Sequence, residues 1–204
     1  MQKENKIIAV ILCGGFGTRL SEHTKNVPKP MVKLGSTPIL IEIFRIYINN
    51  GITNFILSTG YKEKVIKNYF KGFKKDGKFF FHKIDGIKIS ITIKFTGLKT
   101  MTGGRIKALS ELLRDYKFFL LTYGDGLGNV NIKKVIKFHK KNKKLVTVTA
   151  VRPPARFGAL MLKDDKIIKF KEKVQLNDNW INGGFFVVNP NFFQYLKLIL
   201  QNFQ

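Results

Sequence analysis

Cysteine is nearly absent from the 204-residue chain: Cys13 stands alone, so no internal disulfide framework can form, in keeping with a reducing compartment. In the sequence it reads as a small buried residue at a strand end. The three histidines, His23, His82 and His139, are scattered and suggest neither a metal cluster nor a triad. No apolar run approaches the roughly 20 residues that cross a bilayer as a helix, and a cytoplasmic protein with no membrane partner is expected. The opening "MQKENK" then "IIAVIL" imitates a signal peptide, but its apolar part is short and no small-residue cleavage site follows. Acids are scarce: 13 Asp plus Glu stand against 37 Lys plus Arg, a formal charge of +24. That excess brings nucleic acid to mind. Yet the lysines are spread along the whole chain. The densest run, Lys133–Lys144, interleaves Val135, Ile136 and Phe138 at helical spacing, as a surface helix with a solvated lysine face does. The reading is therefore no nucleic-acid partner, but a basic surface that draws in phosphorylated small molecules.

At 44% apolar and 13% aromatic the chain can bury a sizeable core. Strand and helix patterns alternate. Ile7–Leu12 is an unbroken apolar run, typical of a strand covered on both faces. A helix is expected over Pro38–Asn50, closed by Gly51, then a strand over Ile52–Gly60 and a helix near Lys62–Phe70. Gly77–Gly97 reads as two strands around Asp85-Gly86, a hairpin signal. Gly103–Asp115 is expected as one helix and Lys117–Gly126 as a buried strand ending in a glycine turn. The basic helix follows, then strands over Leu145–Val151 and near Gly158–Leu162, Ile167–Lys173 and Gly184–Val188. Repeated βα units predict a mostly parallel three-layer α/β sheet. No repeat, linker or boundary divides residues 1–204, so a single domain is expected.

In such sheets the ligand sits beyond the carboxyl ends of the strands. The first strand runs into Gly14, Gly15 and Gly17, which allow unusual backbone angles and close ligand approach. Arg19 follows with a planar fork suited to phosphate oxygens. Leu20 replaces the third glycine of a dinucleotide fingerprint, and no Gly-Lys-Ser/Thr follows, so the loop alone says "anion". "YGDG" holds Asp125 at another strand end, where a hard divalent cation finds an oxygen ligand. In "NVPKPM", Pro28 and Pro30 are expected to keep the backbone extended and present Lys29 toward phosphates.

"AVILCGGFGTRL…VPKPMVKLGSTPIL" resembles the N-terminal signature of sugar-1-phosphate nucleotidylyltransferases. "TMTGGRIK" (Thr100–Lys107), "TYGDG", "PPARFGAL" (Pro153–Leu160) and "INGGFFVVNP" (Ile181–Pro190) are similar to the glucose-1-phosphate cytidylyltransferases within that family. The likeness runs from Ile7 to about Pro190. It implies a Rossmann-like three-layer sandwich of the nucleotide-diphospho-sugar transferase type. It also implies a reaction: CTP plus α-D-glucose 1-phosphate giving CDP-glucose and pyrophosphate with Mg2+, in nucleotide-sugar biosynthesis of the lipopolysaccharide O-antigen kind. By resemblance Leu12, Cys13, Gly14, Gly15, Phe16, Gly17, Thr18 and Arg19 wrap the nucleotide. Arg19 and Lys29 neutralise the triphosphate, while Thr100, Arg105 and Gly124 complete the pocket. Asp125 holds the metal. Gly158, Glu172, Lys173, Asn182 and Gly184 fall on the sugar side.

Two departures stand out. The sugar loop normally reads Glu-Lys-Pro and here is Glu172-Lys173-Val174. The chain also stops at "NFFQYLKLILQNFQ", where the family continues with an aspartate that is a second magnesium ligand and with oligomer contacts. The chain is therefore expected to be C-terminally truncated, to bind CTP but turn it over poorly, and to leave Phe192, Phe193, Leu196, Leu198 and Ile199 uncovered; a homo-oligomer stays open. Two alternatives remain: another base or sugar (UTP, dTTP or GTP), or a nucleotide-binding homologue with little or no turnover.

Overall fold

The structure is a computed structural model that describes residues 7–17, 26–71, 74–76, 79–153, 159–171 and 180–196. Its contacts divide the chain into two compact units, Met1–Thr147 with Gly184–Gln204, and Val148–Gly183.

Apolar runs without polar alternation build the centre of the first unit. β1 (Ala9–Cys13) pairs in parallel with β4 (Asn54–Thr59) on one side and β8 (Phe119–Tyr123) on the other. β4 pairs in parallel with β7 (Ile87–Phe95). Antiparallel strands extend this parallel core. Beyond β7 lie β6 (Phe79–Ile84) and β5 (Lys74–Asp76). Next to β8 comes β12 (Ile181–Val188), and β9 (Val146–Val151) closes the eight-stranded sheet. A two-stranded ribbon, β2 (Lys33–Leu34) with β3 (Thr37–Pro38), lies apart from it. The second unit contains the antiparallel hairpin β10 (Ala159–Lys163) and β11 (Lys166–Lys171).

Successive strand residues point to opposite faces, so β1 feeds two cores. Ala9, Ile11 and Cys13 join one with Ile43, Phe44 and Tyr47 of α1 (Ile39–Ile48), Ile66 of α2 (Glu63–Tyr69) and Ile136 of α5 (Ile132–Asn142). Ile8 and Val10 join the other with Ile106 of α3 (Thr102–Lys107) and Leu113 of α4 (Ser110–Leu113). Each fully buried Ile, Leu or Phe contributes about 2 kcal/mol. The result is the three-layer α/β arrangement that the alternation of patterns predicts.

Turn chemistry agrees with the sequence at two places. Gly51 closes α1 with φ +82° and its N–H on the Ile48 carbonyl at 2.8 Å. Asp85 and Gly86 both take positive φ, +50° and +79°, as a two-residue hairpin turn requires.

Three expectations are corrected. The single helix over Gly103–Asp115 is two, because the Leu109 N–H bonds the Ile106 carbonyl three residues back at 3.0 Å and tightens the chain there. On α5 the buried stripe is Ile132, Ile136 and His139, while Phe138 is exposed. Asn131 caps this helix by accepting from the Lys134 N–H at 2.9 Å, which sets its rotation. Three of the apolar residues expected to be uncovered pack on the protein: Leu196 is buried, Phe192 and Phe193 are half-buried against its cluster, and Phe193 stacks on Phe119 with centroids 5.8 Å apart. Leu198 and Ile199 lie outside the described residues. Among the described residues no helix is long and apolar enough to cross a membrane.

Candidate active site

Parallel pairing sets the carboxyl ends of β1, β4 and β7 side by side, with Cys13 opposite Thr59 and Thr59 opposite Phe95. Tyr123 at the end of β8 lies opposite Leu12. The loops that leave these strands enclose a cavity of about 370 Å3. Leu12 and Cys13 line it from β1, and Gly14, Gly15, Phe16 and Gly17 continue its wall. Lys29 enters from the Pro-Lys-Pro turn, Thr100 and Arg105 from the approach to α3 and from α3 itself, and Gly124 and Asp125 from the end of β8. Segments far apart in sequence thus meet where strand-end geometry predicts a ligand.

The glycines of the first loop do not all serve backbone freedom. Only Gly17 among Gly14, Gly15 and Gly17 takes a positive φ, +69°. A Cβ on Gly14 would lie 2.0 Å from Nη1 of Arg105, so a protein side chain rather than a ligand requires glycine there. A Cβ on Gly124 would lie 2.7 Å from both the Leu12 carbonyl oxygen and Pro30 Cγ. With glycine present, the Gly124 N–H reaches the Leu12 carbonyl at 3.0 Å and carries the β1–β8 ladder one residue further, setting Asp125 over the cavity.

Lys29 does not sit on extended backbone. Pro28 is extended, with φ −69° and ψ 151°, but Lys29–Met31 forms one 3-10 turn. The Met31 and Val32 N–H groups close it on the Pro28 and Lys29 carbonyls at 2.8 and 3.1 Å. Pro30 inside the turn has no N–H to leave unpaired. The turn aims Lys29 Nζ at Asp125 Oδ2, and the two form an ion pair, both side chains partly exposed.

Arg105 is only 4% exposed. Its Nη1 donates to the Thr59 carbonyl (3.2 Å), Thr96 Oγ1 (2.9 Å) and the Gly97 carbonyl (2.9 Å). Its Nη2 donates to the Gly14 and Leu98 carbonyls at 2.8 and 3.2 Å. Burial pulls its pKa below the ordinary arginine value. Burial, with the Asp125 charge adding, pushes the Cys13 thiol far up, so Cys13 stays protonated and forms wall rather than nucleophile.

Further lining comes from residues that the sequence does not mark as part of the site: Pro30, Leu98, Lys99, Met101, Thr102 and Tyr123. Four of them lie between the end of β7 and Arg105. The strand-end rule finds that segment once β7 is recognised as parallel to β4, which a hairpin pattern does not disclose. Gly184 is buried with φ +80°; its carbonyl accepts from Thr122 Oγ1 at 2.8 Å, and a Cβ there would meet the Tyr123 ring at 3.3 Å. Asn182 is on β12 in the second unit. Thr18, Arg19, Gly158, Glu172 and Lys173 lie outside the described residues.

Chemically the cavity gathers three cationic side chains, Lys29, Lys99 and Arg105, and one carboxylate, Asp125. That charge balance suits a polyanion. Among the described residues no cluster of three His, Cys, Asp or Glu could hold a metal by itself. One carboxylate does suit magnesium, which takes few protein ligands and completes its shell with phosphate oxygens and water.

Residues 8–203 match the family model described as "Nucleotidyl transferase". The glucose-1-phosphate cytidylyltransferase of Salmonella typhimurium is 45% identical over 193 residues, covering 90% of this chain and 75% of that protein. A probable glucose-1-phosphate cytidylyltransferase of Bacillus subtilis is 41% identical over 197 residues, covering 92% and 77%. A solved structure of UDP-glucose pyrophosphorylase complexed with UDP-glucose superposes with a TM-score of 0.67 at 17% identity, over 94% of this chain and 79% of that one, and shows the shared fold.

Proposed function

Since the chain belongs to the nucleotidyl transferase family, we propose that it transfers the cytidylyl group of CTP to α-D-glucose 1-phosphate, releasing pyrophosphate and CDP-glucose. The observation that carries the site assignment is the meeting of Lys29 and Asp125 in the lining of a cavity that is otherwise cationic. The 41–45% identity to the cytidylyltransferases supports the choice of base and sugar.

A phosphate oxygen of the sugar forms a bond to the α-phosphorus while the bond from that phosphorus to the bridging oxygen of pyrophosphate breaks. No protein nucleophile is needed, and positioning and charge stabilisation supply the catalysis. Leu12–Gly17, with Thr18 and Arg19, receives base, ribose and phosphates. Phe16, 46% exposed and tilted against Tyr61 at 5.4 Å, offers a ring to the base. Lys29 and Arg19 take the negative charge that builds on the departing pyrophosphate, and Thr100, Arg105 and Gly124 complete the wall. Asp125 holds a divalent cation, Mg2+, which when bound neutralises the triphosphate. Gly158, Glu172, Lys173, Asn182 and Gly184 serve the sugar side. The test is pyrophosphate release with CTP, glucose 1-phosphate and magnesium, each omitted in turn. Release that depends on all three supports the reading, and release without the sugar phosphate would point to hydrolysis instead.

A further inference from the structure

We infer that Arg105 is a positioning residue: its guanidinium joins the loops that leave β1, β4 and β7 and shapes the cavity through them. The inference rests on reading the cavity as a nucleotide pocket, but its first evidence is in the ligand-free protein.

An arginine offers four terminal N–H groups. Here they serve five acceptors on three segments: the Gly14 carbonyl after β1, the Thr59 carbonyl at the end of β4, and Thr96 Oγ1 with the Gly97 and Leu98 carbonyls after β7. All four terminal groups are thus engaged within the protein, which leaves only the Nε–H outside this set. All five acceptors are neutral, so among the described residues no carboxylate pairs with the positive charge, which favours an anion in the cavity that Arg105 helps to line.

The surrounding sequence is built for this group. Cβ atoms on Gly14 and Gly60 would lie 2.0 and 2.7 Å from Nη1, so both glycines make room for the guanidinium. Thr96 is organised as well: its Oγ1 donates to the Thr59 carbonyl at 2.9 Å and lies 2.9 Å from Ser58 Oγ. The bonds end on the lining residues Gly14 and Leu98, next to Gly15–Gly17 in one wall and to Lys99 and Thr100 in the other. A buried carbonyl without a donor is costly, so losing the fork loosens both walls together. Lysine has the charge but not the planar fork, and cannot bridge three loops.

The experiment is amide hydrogen exchange on ligand-free parent, Arg105→Ala, Arg105→Lys and Thr96→Val, followed by CTP titration of each. Both Arg105 variants should exchange faster at residues 14–17 and 97–101 while β1, β4 and β8 stay protected. CTP should bind roughly tenfold more weakly in both, as expected for lost charge-assisted bonds. The effect should appear in the KM for CTP more than in kcat. Thr96→Val removes one acceptor and should give the same pattern more weakly, which keeps the test open if Arg105→Ala does not fold. Parental exchange in all three variants, with CTP affinity lost in Arg105→Ala and restored in Arg105→Lys, would overturn the inference and make Arg105 a direct phosphate contact. If the pocket takes another nucleotide, the titration with CTP fails in the parent too, while the exchange result stands.

Discussion

Replacing Lys29 with alanine should lower turnover strongly, leave the fold intact and strengthen metal binding to the empty cavity. In the ligand-free protein Lys29 pairs with Asp125, with side chains 23% and 34% exposed. Solvent screens such a pair, and its contribution to stability is about 1 kcal/mol or less. For a chain of this size that moves the thermal midpoint by at most roughly 2–4 °C. In the transition state the same ammonium faces charge that is only then developing, in a partly enclosed site. Losing one preorganised contact of that kind costs on the order of 3 kcal/mol, or about a hundredfold in kcat. With the ammonium gone, no ion pair to Asp125 remains among the described residues, so Mn2+ titrated into nucleotide-free Lys29→Ala should bind more tightly than to the parent. Turnover is followed by pyrophosphate release at saturating substrates, and stability by thermal unfolding. Near-parental kcat in the variant would refute the catalytic role. A large fall in melting temperature would instead make Lys29 a structural residue.

Asp125→Asn keeps the shape but removes the charge that a hard cation requires; magnesium should then no longer strengthen CTP binding by calorimetry, and an unchanged magnesium effect would return Asp125 to a turn residue. Gly124→Ala places a Cβ 2.7 Å from the Leu12 carbonyl and Pro30 Cγ, whereas a Cβ on Gly126 meets nothing within 4 Å. The first should therefore weaken CTP binding and lower stability by about 1–3 kcal/mol, the second should do neither, and equal effects would contradict the packing at the end of β8. Burial holds the pKa of His139 below the ordinary value of 6.5, while its Nδ1 lies 2.8 Å from Thr147 Oγ1. The unfolded chain then takes up a proton on this residue at a higher pH than the folded one. Stability contributed by neutral His139 should be present above about pH 6.5 and be lost as pH falls toward the folded value. His139→Gln should flatten that part of the urea-midpoint profile, and an unaltered slope would show that other groups carry it.

The fold was open to reading because its strands are written in unbroken apolar runs and its turns in residues that tolerate positive φ. Ile7–Leu12 covers most of β1, and the Asp85-Gly86 pair sits at the hairpin turn. Site position was legible too: Gly14–Gly17 and Asp125 both follow strands, and ligands gather at strand ends. What stayed hidden depends on groups distant in sequence. No local pattern tells that the Gly14 of the first loop yields to a guanidinium 91 residues later, or that Pro28 precedes and Pro30 sits within a 3-10 turn instead of extended backbone. Of the Leu98–Thr102 wall the sequence names only Thr100, and that by resemblance, for a related reason. Its strand looks like half a hairpin, and only pairing with β4 makes its end part of the site.

The central claim is cytidylyl transfer, and base choice tests it most directly. Pyrophosphate release should be measured with glucose 1-phosphate and magnesium against CTP, UTP, dTTP and GTP, singly and in pairwise competition. The account predicts that CTP supports the highest kcat/KM and suppresses use of the other three. Preference for another base, or release that is the same with all four, would contradict it.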